Sequence, residues 1–272
     1  MPTRFSGHLT EDIRAIHLEA DPRFSYSLIM PRELDDQTRL VVVVHGSERD
    51  PIAAMTRFRE LALWCNAVIL APMFPRFPND AGDLVGYKIL RWDGINYDEI
   101  LFAMVQEAHE RYGVPLGRFA LSGYSGGGQF VERFALFHAQ HLLCAAIGAP
   151  GRVTLPTSEH TWWVGVGNTQ EQIGMSADLE ALRMLPIQLV VGALDIGEGY
   201  PVPRESGIWR DDLELAGSTR LERATTLYQA FRDIGAAEVR LDVVDDQAHE
   251  CPGAFEVMKT FIAQHLVTSR RK

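Results

Sequence analysis

A serine set among glycines is the first pattern in this chain that could do chemistry. Residues Arg118 to Phe130 read Arg-Phe-Ala-Leu-Ser-Gly-Tyr-Ser-Gly-Gly-Gly-Gln-Phe. Phe119, Ala120 and Leu121 are apolar and β-prone, and the run from Gln129 reads as a helix. Gly123-x-Ser125-x-Gly127 between a strand and a helix is the pattern of a nucleophile elbow. A serine on so sharp a turn has strained backbone angles, and only small residues fit beside it. A serine hydroxyl is a poor nucleophile at its ordinary pKa, so it needs a base within reach and a third group to orient that base. Asp195 closes Gly192-Ala193-Leu194-Asp195, and His249 lies in Ala248-His249-Glu250. Ser125, Asp195 and His249 would together supply a nucleophile, an orienting carboxylate and a general base for acyl transfer.

The elements that must position these residues can be read from periodicity. Ile13 to Glu19 and Phe24 to Met30 alternate apolar and polar, which predicts two antiparallel edge strands. Arg39 to Val44 is a continuous β-branched run, as in a strand buried on both faces. Ile52 to Trp64 has helical spacing and Ala67 to Ala71 is another buried strand. A helix over Ile95 to Tyr112 stops at Gly113 and Pro115. After the elbow, strands are predicted at Leu142 to Ile147, Ile187 to Val191 and Glu238 to Val244. Helices are predicted at Ser176 to Leu185, Thr219 to Ile234 and Gly253 to Leu266. Strands alternating with helices predict a mostly parallel central sheet with helices on both faces, an α/β fold. The whole chain, 1–272, reads as one domain, with irregular insertions at about 151–185 and 196–217 over one end of the sheet.

In such sheets ligands bind beyond the carboxyl ends of the strands. Ser125, Asp195 and His249 each follow one predicted strand, in that order along the chain. Asp245 and Asp246 are rival carboxylates, but they sit at the same strand end as His249.

On Val43-Val44-His45-Gly46-Ser47, Gly123-Tyr124-Ser125-Gly126-Gly127, Gly192-Ala193-Leu194-Asp195 and Ala248-His249-Glu250, the chain resembles α/β-hydrolase-fold serine hydrolases. The resemblance covers roughly residues 39–266. Within the superfamily the chain is most similar to small esterases of the polyhydroxybutyrate-depolymerase-like and feruloyl-esterase-like type, and to dienelactone-hydrolase relatives. This implies a carboxylic ester hydrolase with Ser125, His249 and Asp195 as its triad. It also implies an oxyanion hole made by the backbone amides of Gly126 and of Ser47, with Glu48 next in line. His45 would brace that turn. The turn has one glycine, His45-Gly46-Ser47, rather than a longer His-Gly-Gly-Gly run.

Other features bound the partners. The formal net charge of −10, without a Lys/Arg stripe, argues against nucleic acid. Three dispersed cysteines and an amino-terminal stretch without an apolar run predict a cytoplasmic protein. No membrane span, metal or cofactor is expected; the partner is a small-molecule substrate, with a homo-oligomer possible. Aromatic or apolar residues in irregular loops are candidates for the substrate pocket: Met73, Phe74, Trp92, Tyr124, Trp162, Trp163, Tyr200 and Trp209. Tyr124, Trp92, Trp163 and Trp209 are the substrate-binding residues expected from this group. The same triad serves lactonases, amidases, thioesterases, peptidases and C–C bond hydrolases, and a non-catalytic binding member of the fold is the alternative of another class. The sequence displays neither a basic nor an acidic pocket pattern that would separate them.

Overall fold

In the computed structural model, residues 10–78, 84–197, 201–206 and 208–269 are described. The two leading strands are β1 (Thr10–His17) and β2 (Ser25–Pro31), paired antiparallel. Next come β3 (Arg39–Val44), α1 (Pro51–Thr56), α2 (Arg59–Trp64) and β4 (Ala67–Met73). A two-stranded ribbon, β5 (Arg91–Trp92) and β6 (Ile95–Asn96), leads into α3 (Tyr97–Tyr112). The elbow strand β7 (Phe119–Tyr124), the elbow helix α4 (Gly126–His138) and β8 (Leu142–Gly148) follow. The chain continues through α5 (Thr169–Ile173), α6 (Leu179–Met184), β9 (Ile187–Gly192), α7 (Arg220–Asp233), β10 (Val239–Val244) and α8 (Pro252–Thr268).

Eight strands form one sheet in the order β1-β2-β4-β3-β7-β8-β9-β10. β2 meets β4 antiparallel, and every pair from β4 to β10 is parallel. The β-branched run of β3 shows why the sheet is central. Leu40, Val42 and Val44 join one core, with Leu101 of α3, Phe130 and Phe134 of α4 and Phe231 of α7. Val41 and Val43 join the other, with Met55 of α1, Leu61 of α2 and Met258 and Phe261 of α8. Side chains alternate across a strand, so a strand covered by helices on both sides must be apolar throughout. Each such side chain stabilises the fold by roughly 1.5–3 kcal/mol relative to exposure. The sheet is therefore sandwiched, and its parallel strands all end on the side where the Ser125, Asp195 and His249 turns lie.

Several elements differ from the periodicity reading for identifiable local reasons. The helix predicted over Ile52 to Trp64 is two helices, α1 and α2. Thr56 Oγ1 donates to Ile52 O at 2.7 Å, a side-chain bond that competes with the helical ladder, and Phe58 leaves helical geometry at φ −106°, ψ 5°. The break leaves Met55 and Phe58 both buried in one core. α3 starts at Tyr97 rather than Ile95, because Ile95 and Asn96 pair with Trp92 and Arg91. α6 starts at Leu179 rather than Ser176, because the Asp178 side chain accepts the Ala181 amide and caps it there. No helix among the described residues is long and apolar enough to cross a membrane.

Candidate active site

The elbow forms because two backbones cross at nearly van der Waals contact. A Cβ on Gly127 would stand 2.3 Å from Val44 O and 2.8 Å from His45 O. With no Cβ there, the first turn of α4 can sit directly against the end of β3. Ser125 then joins β7 to α4 at φ 57°, ψ −113°, outside the regions a non-glycine residue ordinarily occupies. Its amide donates to Gly148 O at 2.9 Å and its carbonyl accepts the Gln129 amide at 3.1 Å, which fixes the strained turn from both sides.

Asp195 and His249 are brought together by a second close approach. A Cβ on Gly192 would meet Gln247 O at 2.3 Å and Ala248 O at 2.6 Å, so only glycine lets the end of β9 lie against the loop that carries His249. Across that seam Ala193 N donates to Val244 O and Leu194 N to Gln247 O, at 2.9 and 2.8 Å. The result is a continuous row. His249 Nε2 lies 3.0 Å from Ser125 Oγ, and His249 Nδ1 lies 2.8 Å from Asp195 Oδ2. The Asp195 side chain is only 2% exposed and the imidazole 36%. It is Asp195, rather than Asp245 or Asp246, that meets His249 Nδ1; the two rivals are exposed. With Nδ1 donating to the carboxylate, Nε2 is left to accept the serine proton.

Gly126 and Ser47 are neighbours. Ser47 N lies 3.2 Å from the point where a Gly126 Cβ would stand. Gly126 opens α4, where a helix leaves its first amides without intrahelical partners and carries the positive end of its dipole. The Ser47 turn is held from below. His45 Nδ1 lies 2.8 Å from Gly46 O, and His45 Nε2 accepts the Phe74 amide at 3.1 Å. Glu48 folds back so that its carboxylate accepts the Gly46 amide at 3.2 Å. The Ser47 turn and the start of α4 thus meet from separate strand ends, and Ser47 and Ser125 line one cavity.

A cavity of about 400 Å³ opens in front of Ser125 and Ser47. Of the four aromatic residues expected to bind substrate, Trp163 lines it, with its Nε1 donating to Ile208 O at 2.9 Å. Trp92 and Trp209 are not among its described lining residues. Trp92 packs from the β5–β6 ribbon against the larger core, and Trp209 lies under the Arg204 guanidinium, 4.5 Å from its ring centre. Tyr124 faces the other side of the elbow. There it lines a second cavity, of about 910 Å³, that also reaches Ser125 and His249. Its ring lies 5.5 Å from the His249 ring and its hydroxyl donates to His249 O at 3.0 Å, so it braces the histidine turn. Burial raises the Tyr124 phenol well above its ordinary range, keeping it a donor. Trp162 packs on Phe137, and Phe74 stacks on Tyr87 within the core. Tyr200 lies outside the described residues.

Arg220 is a site residue that the sequence reading passed over. Its Nη1 donates to Asp195 Oδ1 at 3.2 Å. The only sequence signal nearby is the capping box Thr219-x-x-Glu222, which starts α7 and so places Arg220 and Arg223 in its first turn. Both line the 400 Å³ cavity.

No protein-family model matches the chain, and no curated protein matches it. Solved structures do. The chain is similar to poly(aspartic acid) hydrolase-1 from Sphingomonas sp. KT-1, at 19% identity and a TM-score of 0.68, over 88% of this chain and 93% of that one. It is similar to a poly(3-hydroxybutyrate) depolymerase from Bordetella parapertussis, at 21% identity and a TM-score of 0.66, over 87% and 84%. A ferulic acid esterase matches at 14% identity and a TM-score of 0.63, over 96% and 99%. The shared architecture is the α/β-hydrolase fold, with its mostly parallel sheet and flanking helices.

Proposed function

We propose that the chain is a serine hydrolase that cleaves a carboxylic ester of a small organic molecule through an acyl-enzyme on Ser125. The observation that carries the reading is the row Ser125 Oγ, His249 Nε2, His249 Nδ1, Asp195 Oδ2, with separations of 3.0 and 2.8 Å at its two hydrogen bonds. The esterases among the similar folds support an ester as the scissile bond.

Each residue then has one task. His249 Nε2 takes the Ser125 proton as Oγ attacks the ester carbonyl carbon. The carbonyl oxygen becomes an oxyanion between the Gly126 and Ser47 amides. Asp195 holds the imidazolium that forms. The imidazolium returns its proton to the alkoxide oxygen, so an alcohol leaves and the acyl group stays on Oγ. A water then gives its proton to Nε2 and its hydroxide to the acyl carbon. The second tetrahedral species collapses, the Ser125 oxygen regains the proton from His249, and a carboxylic acid departs. The enzyme ends as it began.

The test is Ser125→Ala, which removes only a hydroxyl. The variant should fold normally, lose hydrolysis of p-nitrophenyl butyrate and lose covalent labelling by a fluorophosphonate. Labelling that persists elsewhere, or hydrolysis that survives, would overturn the mechanism. Unmodified protein that neither labels nor hydrolyses would favour a binding member of the fold.

A further inference from the structure

Two cavities meet at Ser125, and the catalytic row belongs to them unequally. Among the described lining residues, Ser125 and Glu48 line both. Ser47 lines the cavity of about 400 Å³. His249 lines the cavity of about 910 Å³ and is not among the described lining residues of the smaller one. The nucleophile therefore stands on the boundary, with its base on one side. An ester carbonyl carbon held at Ser125 Oγ carries an acyl chain and an alcohol oxygen in different directions, so each part of the ester needs its own space.

Proton transfer decides which part goes where. When the tetrahedral species collapses, the C–O bond to the alcohol breaks, the electron pair stays on that oxygen, and His249 Nε2 gives it a proton. A general acid must stand within hydrogen-bond reach of the atom it protonates. The alcohol oxygen therefore lies on the His249 side, and whatever it carries extends into the larger cavity. The acyl part, which stays on Oγ, takes the smaller one. The rim of the larger cavity agrees with this order. Thr56, Arg57, Glu250, Pro252 and Glu256 are exposed there, so the cavity opens to solvent. The alcohol leaves by that opening, and the water that frees the acyl group enters beside the same imidazole nitrogen.

The wall that runs outward from His249 is aromatic. The Tyr124 ring lies 5.5 Å from the His249 ring and 5.1 Å from the Phe255 ring, and Phe58, only 1% exposed, lies 6.2 Å from Phe255 on its far side from the histidine turn. Phe255 itself is half-buried at the cavity wall, with the exposed Arg57 guanidinium 4.5 Å from its ring centre. The cations further along are engaged within the fold, Arg59 with Asp12 at 2.7 Å and Lys259 with Glu256 at 2.8 Å. A ring and a planar guanidinium together suit a flat aromatic group, which gains from ring packing and from the cation. We propose that the larger cavity is the leaving-group subsite, and that the ester cleaved at Ser125 joins a smaller acyl group to a bulky, uncharged aromatic alcohol received by Phe255 and Arg57. This rests on the serine-hydrolase reading and adds the substrate class to it.

The experiment compares two isomers, 2-phenylethyl butyrate and ethyl 4-phenylbutyrate. Both are esters of primary alcohols, and they differ in which side of the ester carries the phenyl group. The first should have a kcat/KM at least about tenfold higher, the discrimination an apolar site gives to a group it accommodates. Phe255→Ala should reduce that preference by about fivefold or more. Should Phe255→Ala fail to fold, Phe255→Leu keeps apolar bulk without the ring and should reduce it about threefold. A second readout adds 2-phenylethanol during hydrolysis of p-nitrophenyl butyrate. Its hydroxyl gives its proton to His249 Nε2 as its oxygen attacks the acyl carbon, and Ser125 Oγ leaves with that proton, so 2-phenylethyl butyrate forms in place of butyric acid. At equal concentration it should intercept the acyl-enzyme about tenfold better than ethanol. Equal kcat/KM for the isomers, a preference for ethyl 4-phenylbutyrate, interception no better than by ethanol, or a preference that neither Phe255 variant alters would overturn this inference while the ester-hydrolase reading stands. Hydrolysis of neither isomer, with no fluorophosphonate adduct at Ser125, would remove the reading beneath it.

Discussion

Arg220 and His249 share one carboxylate: Arg220 Nη1 holds Asp195 Oδ1 at 3.2 Å, while His249 Nδ1 holds Oδ2 at 2.8 Å. Asp195 is 2% exposed and Arg220 13%, so solvent screens the competition little. The guanidinium holds one carboxylate oxygen while the other meets the imidazole, so the two donors share one charge. Arg220→Gln should lower kcat/KM on neutral p-nitrophenyl butyrate about tenfold, the loss of roughly 1.5 kcal/mol of charge-assisted bonding. Arg220→Lys keeps the charge and a donor and should recover most of that loss. Equal kcat/KM for Arg220→Gln and the unmodified protein, measured by steady-state kinetics, would mean that the bond to Asp195 has no part in positioning the row.

Tyr124 is the wedge behind the histidine turn. Its hydroxyl donates to His249 O at 3.0 Å, and its ring packs between His249 and Phe255. Tyr124→Phe keeps the ring and removes the bond, a loss of about 1 kcal/mol in positioning. We expect kcat to fall about fivefold with KM on a neutral ester nearly unchanged. A change in KM alone, measured by steady-state kinetics, would return Tyr124 to the substrate pocket.

The contrast between Tyr124 and Ser125 shows what the sequence could and could not convey. The elbow was legible because glycine spacing, a β-prone lead and a following helix are local signals. β3 was legible because both of its faces are buried and its composition says so. Asp195 and His249 were legible as strand-end residues in a particular order. Tyr124 was expected in the pocket because it adjoins the nucleophile; it lines the second cavity beside Ser125 and His249 rather than the one lined by Trp163, as neighbouring side chains at the end of a strand point to opposite faces. Trp92 sits in a strand of only two residues and Trp209 outside any strand or helix, so no period says which way either ring points. The lining of the 400 Å³ cavity was invisible for another reason. Its residues come from distant segments, from Ser47 to Arg223, and only the topology gathers them.

Gly127 offers a test of the elbow's geometry. An added Cβ would meet Val44 O at 2.3 Å, and a backbone atom cannot swing aside as a side chain can. Gly127→Ala should push the first turn of α4 away from β3 and carry Ser125 and Gly126 with it. Overpacking of this kind destabilises by about 1–3 kcal/mol. A displacement on the order of 1 Å at the nucleophile should lower kcat/KM about a hundredfold. Gly197→Ala is the control: nothing among the described residues lies within 4 Å of its would-be Cβ. Thermal melts and esterase assays of the pair should separate them, and equal behaviour would contradict the close approach.

Glu132 gives the protein a pH-dependent stability that does not involve the active-site row. It is fully buried in α4, with Oε1 accepting the Thr154 amide at 3.0 Å and Oε2 3.9 Å from Arg133 Nε. Burial pushes its carboxyl up to about 8, against the smaller opposing effects of Arg133 and of the Thr154 amide. In the unfolded chain the same group titrates near its ordinary value of 4.5. Between these values the unfolded chain has released the proton and the folded chain has kept it. Stability from this group is therefore full below 4.5, declines as pH rises, and is lost once pH passes about 8. The steepest slope for one proton is about 1.4 kcal/mol per pH unit. Glu132→Gln keeps the shape and the acceptor for Thr154 but cannot ionise. Its melting temperature relative to the unmodified protein should rise steadily from about pH 5 to about pH 8, then level off. Parallel curves for the two proteins across that range would assign the pH dependence to another group.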